Sequence, residues 1–243
     1  MQSFRSAVAS ACAALLLPFC AHAADVSSLY TDLRRAAPDA QPQALQAALD
    51  ALNCAQSADE IADARRLALI DYSLPSTQPR LWVFDLGERR LLFRELVAHG
   101  RNSGERYAER FSNRDGSLQS SLGLFRTLNS YQGGNGYSLR LAGLEPGVND
   151  LALQRALVIH GAPYVDAALG AKQGRIGRSW GCPAVRAGIA RPLIDAMKNG
   201  QLLFSYYPDS HWLASSRFLH CATVTERRET RTPSFIRTAA AAP

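Results

Sequence analysis

An apolar run, Val158-Ile159, ends at His160, and Gly161 follows at once. Twenty-two residues later Cys182 sits inside Ser179-Trp180-Gly181-Cys182-Pro183. A thiol and an imidazole are the working parts of covalent catalysis by sulfur. A free cysteine has a pKa of about 8.5, so only a small fraction is thiolate at neutral pH. A neighbouring imidazole raises that fraction and later protonates the leaving amine. Gly181 lets the backbone turn sharply and approach a bound molecule closely. Pro183 fixes its own φ and removes one N–H. The N–H groups of Cys182 and its neighbours are then placed to meet a developing oxyanion. Taken singly, a buried thiol and a hydrogen-bonded histidine at a strand end account for these residues. Found together around a Gly-Cys turn, they favour catalysis.

These residues need a scaffold. Residues 24–70 read as a helical unit. Asp39-Ala40-Gln41-Pro42 supplies a capping residue and an early proline, and Leu45, Leu49 and Leu52 recur at helical spacing, followed by Ile61, Leu67 and Leu69. Beyond them Ile70–Ser73 reads as a short strand. Arg80–Leu86 and Leu91–His99 form a hairpin about Gly87–Arg90. Residues 100–116 are polar and loop-like. Leu122–Leu128, Ser138–Leu144 and Ala156–His160 are further strands, separated by breaks such as Gly133-Gly134-Asn135-Gly136. Ala187–Asn199 reads as a helix stopped by Gly200, and Gln201–Tyr206 as a last strand. The pattern predicts a mainly β fold with α additions: a sandwich or barrel carrying an N-terminal helical unit. Residues 71–221 form the expected catalytic domain, and 222–243 a flexible basic tail.

The chain has 243 residues with 47% hydrophobic and 20% charged, which excludes a wholly disordered or collagen-like protein. The net charge of +6 is carried almost entirely by arginine and is spread along the sequence. That is weak support for a nucleic-acid partner, and none is expected. Met1–Ala23 reads as a secretory leader. Arg5 is its positive start, Ala7–Phe19 its apolar stretch, and Ala21-His22-Ala23 its small-residue cleavage site. The stretch is too short to span a bilayer, so no stable membrane insertion is expected. The mature protein is expected to be secreted, to the periplasm in a two-membrane bacterium. Cleavage removes Cys12 and Cys20 and leaves Cys54, Cys182 and Cys221. An odd number in an oxidising compartment leaves at least one free thiol. Either one disulfide forms, with Cys54–Cys221 the pairing that spares Cys182, or all three stay free with Cys54 buried on its helix. His211 and His220 lie apart without metal-ligand spacing, so no metal site is expected. No phosphate loop or dinucleotide fingerprint is present, and no cofactor is expected.

Ser179-x-Gly181-Cys182 downstream of His160-Gly161 resembles the motif of the L,D-transpeptidases, the YkuD-type murein cross-linking enzymes. The branch most similar is the murein L,D-transpeptidase catalytic-domain family, over roughly residues 71 to 207. Arg80-Leu81-Trp82-Val83, Val97-Ala98-His99-Gly100, Phe111-Ser112-Asn113, Ser120-Ser121-Leu122-Gly123, Gly136-Tyr137-Ser138 and Arg178–Ala184 match in order. The resemblance implies a β-rich fold with the cysteine on a loop facing a cleft, and a ping-pong reaction on peptidoglycan stem peptides. Cys182 is the implied nucleophile, and His160 the general base and acid. Gly161 lies where the family often orients the ring, and Ser179 and Gly181 shape the turn and its oxyanion donors.

The sequence departs from the common motif. Trp180 stands where a histidine usually precedes the glycine. Ala184 stands where a polar or basic residue is usual, with Arg186 the nearest arginine. The His-to-Cys spacing is longer than in the commoner branch. His99, also followed by glycine, is the candidate replacement for the ring missing at Trp180. Arg178 and Arg186 flank the cysteine. Arginine forks hold carboxylates bidentately, so one of them is expected to hold the carboxylate-rich donor. Two other readings stay open: a murein cysteine hydrolase on the same site, and a non-enzymatic wall-binding module. An exported redox protein is disfavoured by the lack of Cys-x-x-Cys.

Overall fold

The structure, a computed structural model, describes residues 19–58, 61 and 64–221. The expected leader lies outside them, apart from the backbone of Phe19–Ala23. The expected tail from residue 222 lies outside them altogether.

Two helices lead, α1 (Phe19–Ala36) and α2 (Pro42–Ser57). Leu45, Leu49 and Leu52 are buried along α2, as their spacing predicts. Pro42 opens the helix, but the cap differs from the expectation: the capping position is Gln41, and no side chain caps it. Asp39 instead accepts Trp82 Nε1–H at 3.3 Å and pairs with Arg94. A carboxylate gains more from a guanidinium than from one neutral N–H, so Asp39 ties the helices to the sheet.

The helical unit also ends earlier than expected. Leu67 and Leu69 belong to β1 (Arg66–Asp71). A short apolar run does not distinguish helix from buried strand. Partners on both sides decide it: β1 pairs antiparallel with β2 (Leu81–Asp85) and parallel with β9 (Leu202–Tyr206). Strands covered on both faces read as continuous apolar runs.

The remaining strands are β3 (Arg90–Glu95), β4 (Val97–Ala98), β5 (Gly123–Gly133), β6 (Gly136–Gly143), β7 (Val158–Ala162) and β8 (Ala184–Arg186). They form one sheet in the order β3-β2-β1-β9-β5-β6-β7-β8-β4. Its two edge strands, β3 and β4, are separated in the chain by Leu96 alone. One residue cannot span a flat nine-stranded sheet, so the sheet curls until its edges nearly meet. The expected second hairpin arm, Leu91–His99, is therefore two strands: the chain leaves β2 at Glu95 and pairs with β8 from Val97. The Gly133–Gly136 break is the tight turn of the β5–β6 hairpin. Helices α3 (Ala167–Gln173), α4 (Ala187–Met197) and α5 (Ser210–Ser215) complete the fold. α3, α5 and β8 were not expected from the sequence. Each is short, and β8 exists only through its partners. Cys54 on α2 is bonded to Cys221 beyond α5, 167 residues away, and Cys182 remains free. No described helix is long and apolar enough to cross a membrane.

Candidate active site

β7 carries His160, and its parallel partner β8 begins two residues after Cys182, in the register His160↔Ala184. Cys182 Sγ therefore lies against the backbone just before His160. Val158 N–H donates to the sulfur at 3.4 Å, and the thiol points to Ala156 O at 3.7 Å. His160 Nδ1 lies 3.0 Å from Gly161 O. A carbonyl can only accept, so Nδ1 carries the proton and Nε2 keeps the lone pair that a general base needs. Gly161 thus holds the ring through its carbonyl. It is also required for packing: a Cβ there would lie 2.8 Å from Ala190 Cβ on α4.

Burial sets the resting protonation. It pushes the Cys182 thiol up, while the Val158 N–H, the charge of Arg155 and the residue's own N–H pull it back in part. Burial also pushes His160 below the usual imidazole range, opposed only by its bond to Gly161. Both shifts favour neutral forms, so the site rests as a thiol and a neutral imidazole.

The turn before the cysteine is held at several points. Ser179 Oγ donates to Cys182 O at 2.6 Å and accepts Gly181 N–H at 3.1 Å. Ser179 N–H reaches His99 O at 2.9 Å, and Arg101 N–H reaches Ser179 O at 2.8 Å. Gly181 has φ +123°, and a Cβ on it would stand 2.8 Å from Gln119 O. No other residue type fits both demands. Ser120 Oγ donates to Gly181 O at 3.2 Å and receives Gly100 N–H at 3.0 Å.

The other sequence candidates fall in different places. Trp180 is 74% exposed, beside the nucleophile. Arg186 forks onto Glu95 at 2.6 and 2.7 Å. Arg178 Nη1 lies between Arg101 O, Gly104 O and Glu105 Oε1. Each is already ion-paired, so a substrate carboxylate must compete with Glu95 or Glu105. His99, the candidate replacement for the ring missing at Trp180, lies in the interior. Its ring is fully buried, with Nδ1 2.7 Å from Arg80 Nη2 and Nε2 3.2 Å from Gly104 O. Burial and the Arg80 charge push it down to about 3. His99 is a neutral internal brace whose carbonyl anchors Ser179. Arg80, fully buried, donates twice to Val97 O and once to Leu74 O, which fixes the strand leading to His99.

Sequence reasoning missed Arg155 and Ser120. Arg155 donates to Ser112 O, Ser121 Oγ, Ser117 Oγ and Gln119 O, between 2.6 and 3.1 Å. Its partners lie some 34–43 residues upstream, beyond any local pattern.

A curled nine-stranded sheet holds the free Cys182 against the strand that carries His160. The family described as YkuD_2, L,D-transpeptidase catalytic domain, matches residues 36–206, and the chain belongs to that family. No curated protein matches the sequence. Among solved structures, an L,D-transpeptidase from Mycobacterium smegmatis is similar at 14% identity and a TM-score of 0.38, covering 59% of each chain. An L,D-transpeptidase from Mycobacterium tuberculosis H37Rv is similar at 17% identity and a TM-score of 0.35, covering 59% of this chain and 58% of the other. The present chain thus spans about three fifths of the length of those structures.

Proposed function

We propose that this chain is a cysteine L,D-transpeptidase acting on peptidoglycan stem peptides. The observation that supports it most is the free thiol held against the strand of His160, whose tautomer leaves Nε2 as a base. In this reading Cys182 Sγ–H passes its proton to His160 Nε2, and the sulfur attacks the carbonyl carbon of the third stem residue. The Cys182 N–H meets the oxyanion, the Gly181 N–H being held by Ser179 Oγ. The intermediate collapses, the bond to D-alanine breaks, and His160 returns the proton to the departing amine. A thioester remains on Cys182. An amine of a second stem then attacks, His160 takes its proton, and the thiol is restored. Water in place of the amine gives hydrolysis. Trp180, exposed beside the nucleophile, offers a flat apolar contact to the incoming chain. Export after Ala23 belongs to the same reading, and the Cys54–Cys221 bond fits an oxidising compartment.

The test is incubation with a purified disaccharide tetrapeptide, followed by intact-protein and product mass spectrometry, with Cys182→Ala as control. The expected result is a tripeptide adduct on Cys182 with release of D-alanine, absent in the variant. A cross-linked dimer then marks transfer, and a free tripeptide marks hydrolysis. An intact tetrapeptide and unmodified Cys182, repeated with cross-linked dimers as substrate, would leave a wall-binding module.

A further inference from the structure

Arg155 directly precedes the segment that touches the nucleophile. Ala156 O and Val158 N–H both contact Cys182 Sγ. On the other side, Arg155 Nη2 lies 3.5 Å from the point a Cβ on Gly181 would occupy. Its guanidinium is fixed by four hydrogen bonds to Ser112, Ser117, Gln119 and Ser121. All four acceptors are neutral oxygens, so no contacting carboxylate cancels the charge. Arg178 and Arg186 differ here, being paired with Glu105 and Glu95.

We propose that Arg155 is a positioning residue whose fixed positive charge behind Gly181 stabilises the Cys182 thiolate as the His160 base removes its proton. The inference rests on the thioester reading above. Its physical basis is that a cation held near a thiol favours the charged form, the more so where water is partly excluded. Tyr72 and Tyr164 are the groups that feel the Cys182 charge from the other elements around it. Burial holds both neutral, Tyr164 being pushed up to about 12, and neither offers a cation. Burial pulls the Arg155 guanidinium below its usual value, and the charges of Asp115 and Cys182 oppose that in part. His160 is neutral at rest and becomes a cation only on accepting the proton. Arg155 is thus the standing charge on this thiol before any proton moves. Because its donors also staple residues 112–121, one side chain sets both the wall of the site and its field.

The experiment measures the rate of Cys182 alkylation by iodoacetamide against pH, in the full chain with the disulfide intact. The parent is compared with Arg155→Gln and Arg155→Lys, and melting temperature and circular dichroism are recorded alongside. Removing the charge is expected to raise the alkylation midpoint by about one pH unit, which is about tenfold slower reaction below both midpoints. The Lys variant keeps the charge, so its midpoint should stay within about 0.3 unit of the parent while its melting temperature falls. A folded Arg155→Gln variant with the parent's midpoint overturns the proposal and leaves Arg155 a structural staple. If Arg155→Gln does not fold, a full-unit rise in folded Arg155→Lys overturns it equally. Failure of the transpeptidase reading shows separately, as absence of turnover in the parent, because the alkylation profile needs no substrate.

Discussion

At Cys182 burial favours the thiol, while an N–H donor and a nearby guanidinium favour the thiolate. At His160 burial favours the neutral ring. In the proposed mechanism such a pair moves a proton within each turnover, so the imidazole acts on the rate. His160→Gln should lower turnover by about 10²- to 10⁴-fold with the melting temperature little changed, as read by D-alanine release and calorimetry. His99 behaves differently. Folded, it is held down to about 3; unfolded, it takes a proton at about 6.5. The unfolded state therefore binds more protons between those values. Stability is complete above about pH 6.5 and falls as pH drops toward about 3. Melting temperature against pH should drop more steeply in the parent than in His99→Gln over that window. Equal slopes would show that the Arg80–His99 contact does not hold the ring neutral.

The elements around the site work by backbone as much as by side chain. The turn at residues 179–182 is clamped between the chain after β4, through His99 and Arg101, and Ser120 before β5. Gly181 is where this clamp tolerates no side chain. Gly181→Ala adds a Cβ at positive φ, 2.8 Å from Gln119 O. The strain is about 1–3 kcal/mol if the turn holds. If the turn yields, the proposed oxyanion donor at Cys182 N–H moves, and turnover should fall at least about tenfold while alkylation of the thiol continues. Much of this level was legible in the sequence. The hairpin, the Gly-Cys turn, β7, α4 and β9 all follow from alternation, turn residues and helical spacing. What misled was local ambiguity. Leu67 and Leu69 fit a helix as well as a strand, and only β2 and β9 settle the matter. Asp39 fits a cap, and only Arg94 and Trp82 draw it away.

Over the whole molecule, the sheet curls because Leu96 alone joins its two edge strands, and that curl brings His99 beside Ser179. The Cys54–Cys221 bond then fastens α2 to the chain beyond α5. It closes most of the described chain into one loop. By loop entropy its removal should cost about 2–5 kcal/mol. Denaturant unfolding of Cys54→Ala, Cys221→Ala should show that loss, with Cys182 still alkylated at one equivalent. A variant as stable as the parent would mean that packing of α2 alone holds the helical unit in place.

The sequence by itself determined the chemistry available: a thiol in a Gly-bounded turn, a histidine on a strand, and an odd cysteine that pairing cannot use up. Those features are local, and residue type with short spacing encodes them. The tertiary structure decided which groups meet. Arg155 reaches Gly181 and the Ser112–Ser121 wall, while Arg178 and Arg186 are ion-paired with Glu105 and Glu95. His99, the candidate for the ring missing at Trp180, is a buried brace. These outcomes depend on contacts between residues tens of positions apart. Charge and hydrogen bonding act through space, and only the closed sheet fixes those distances.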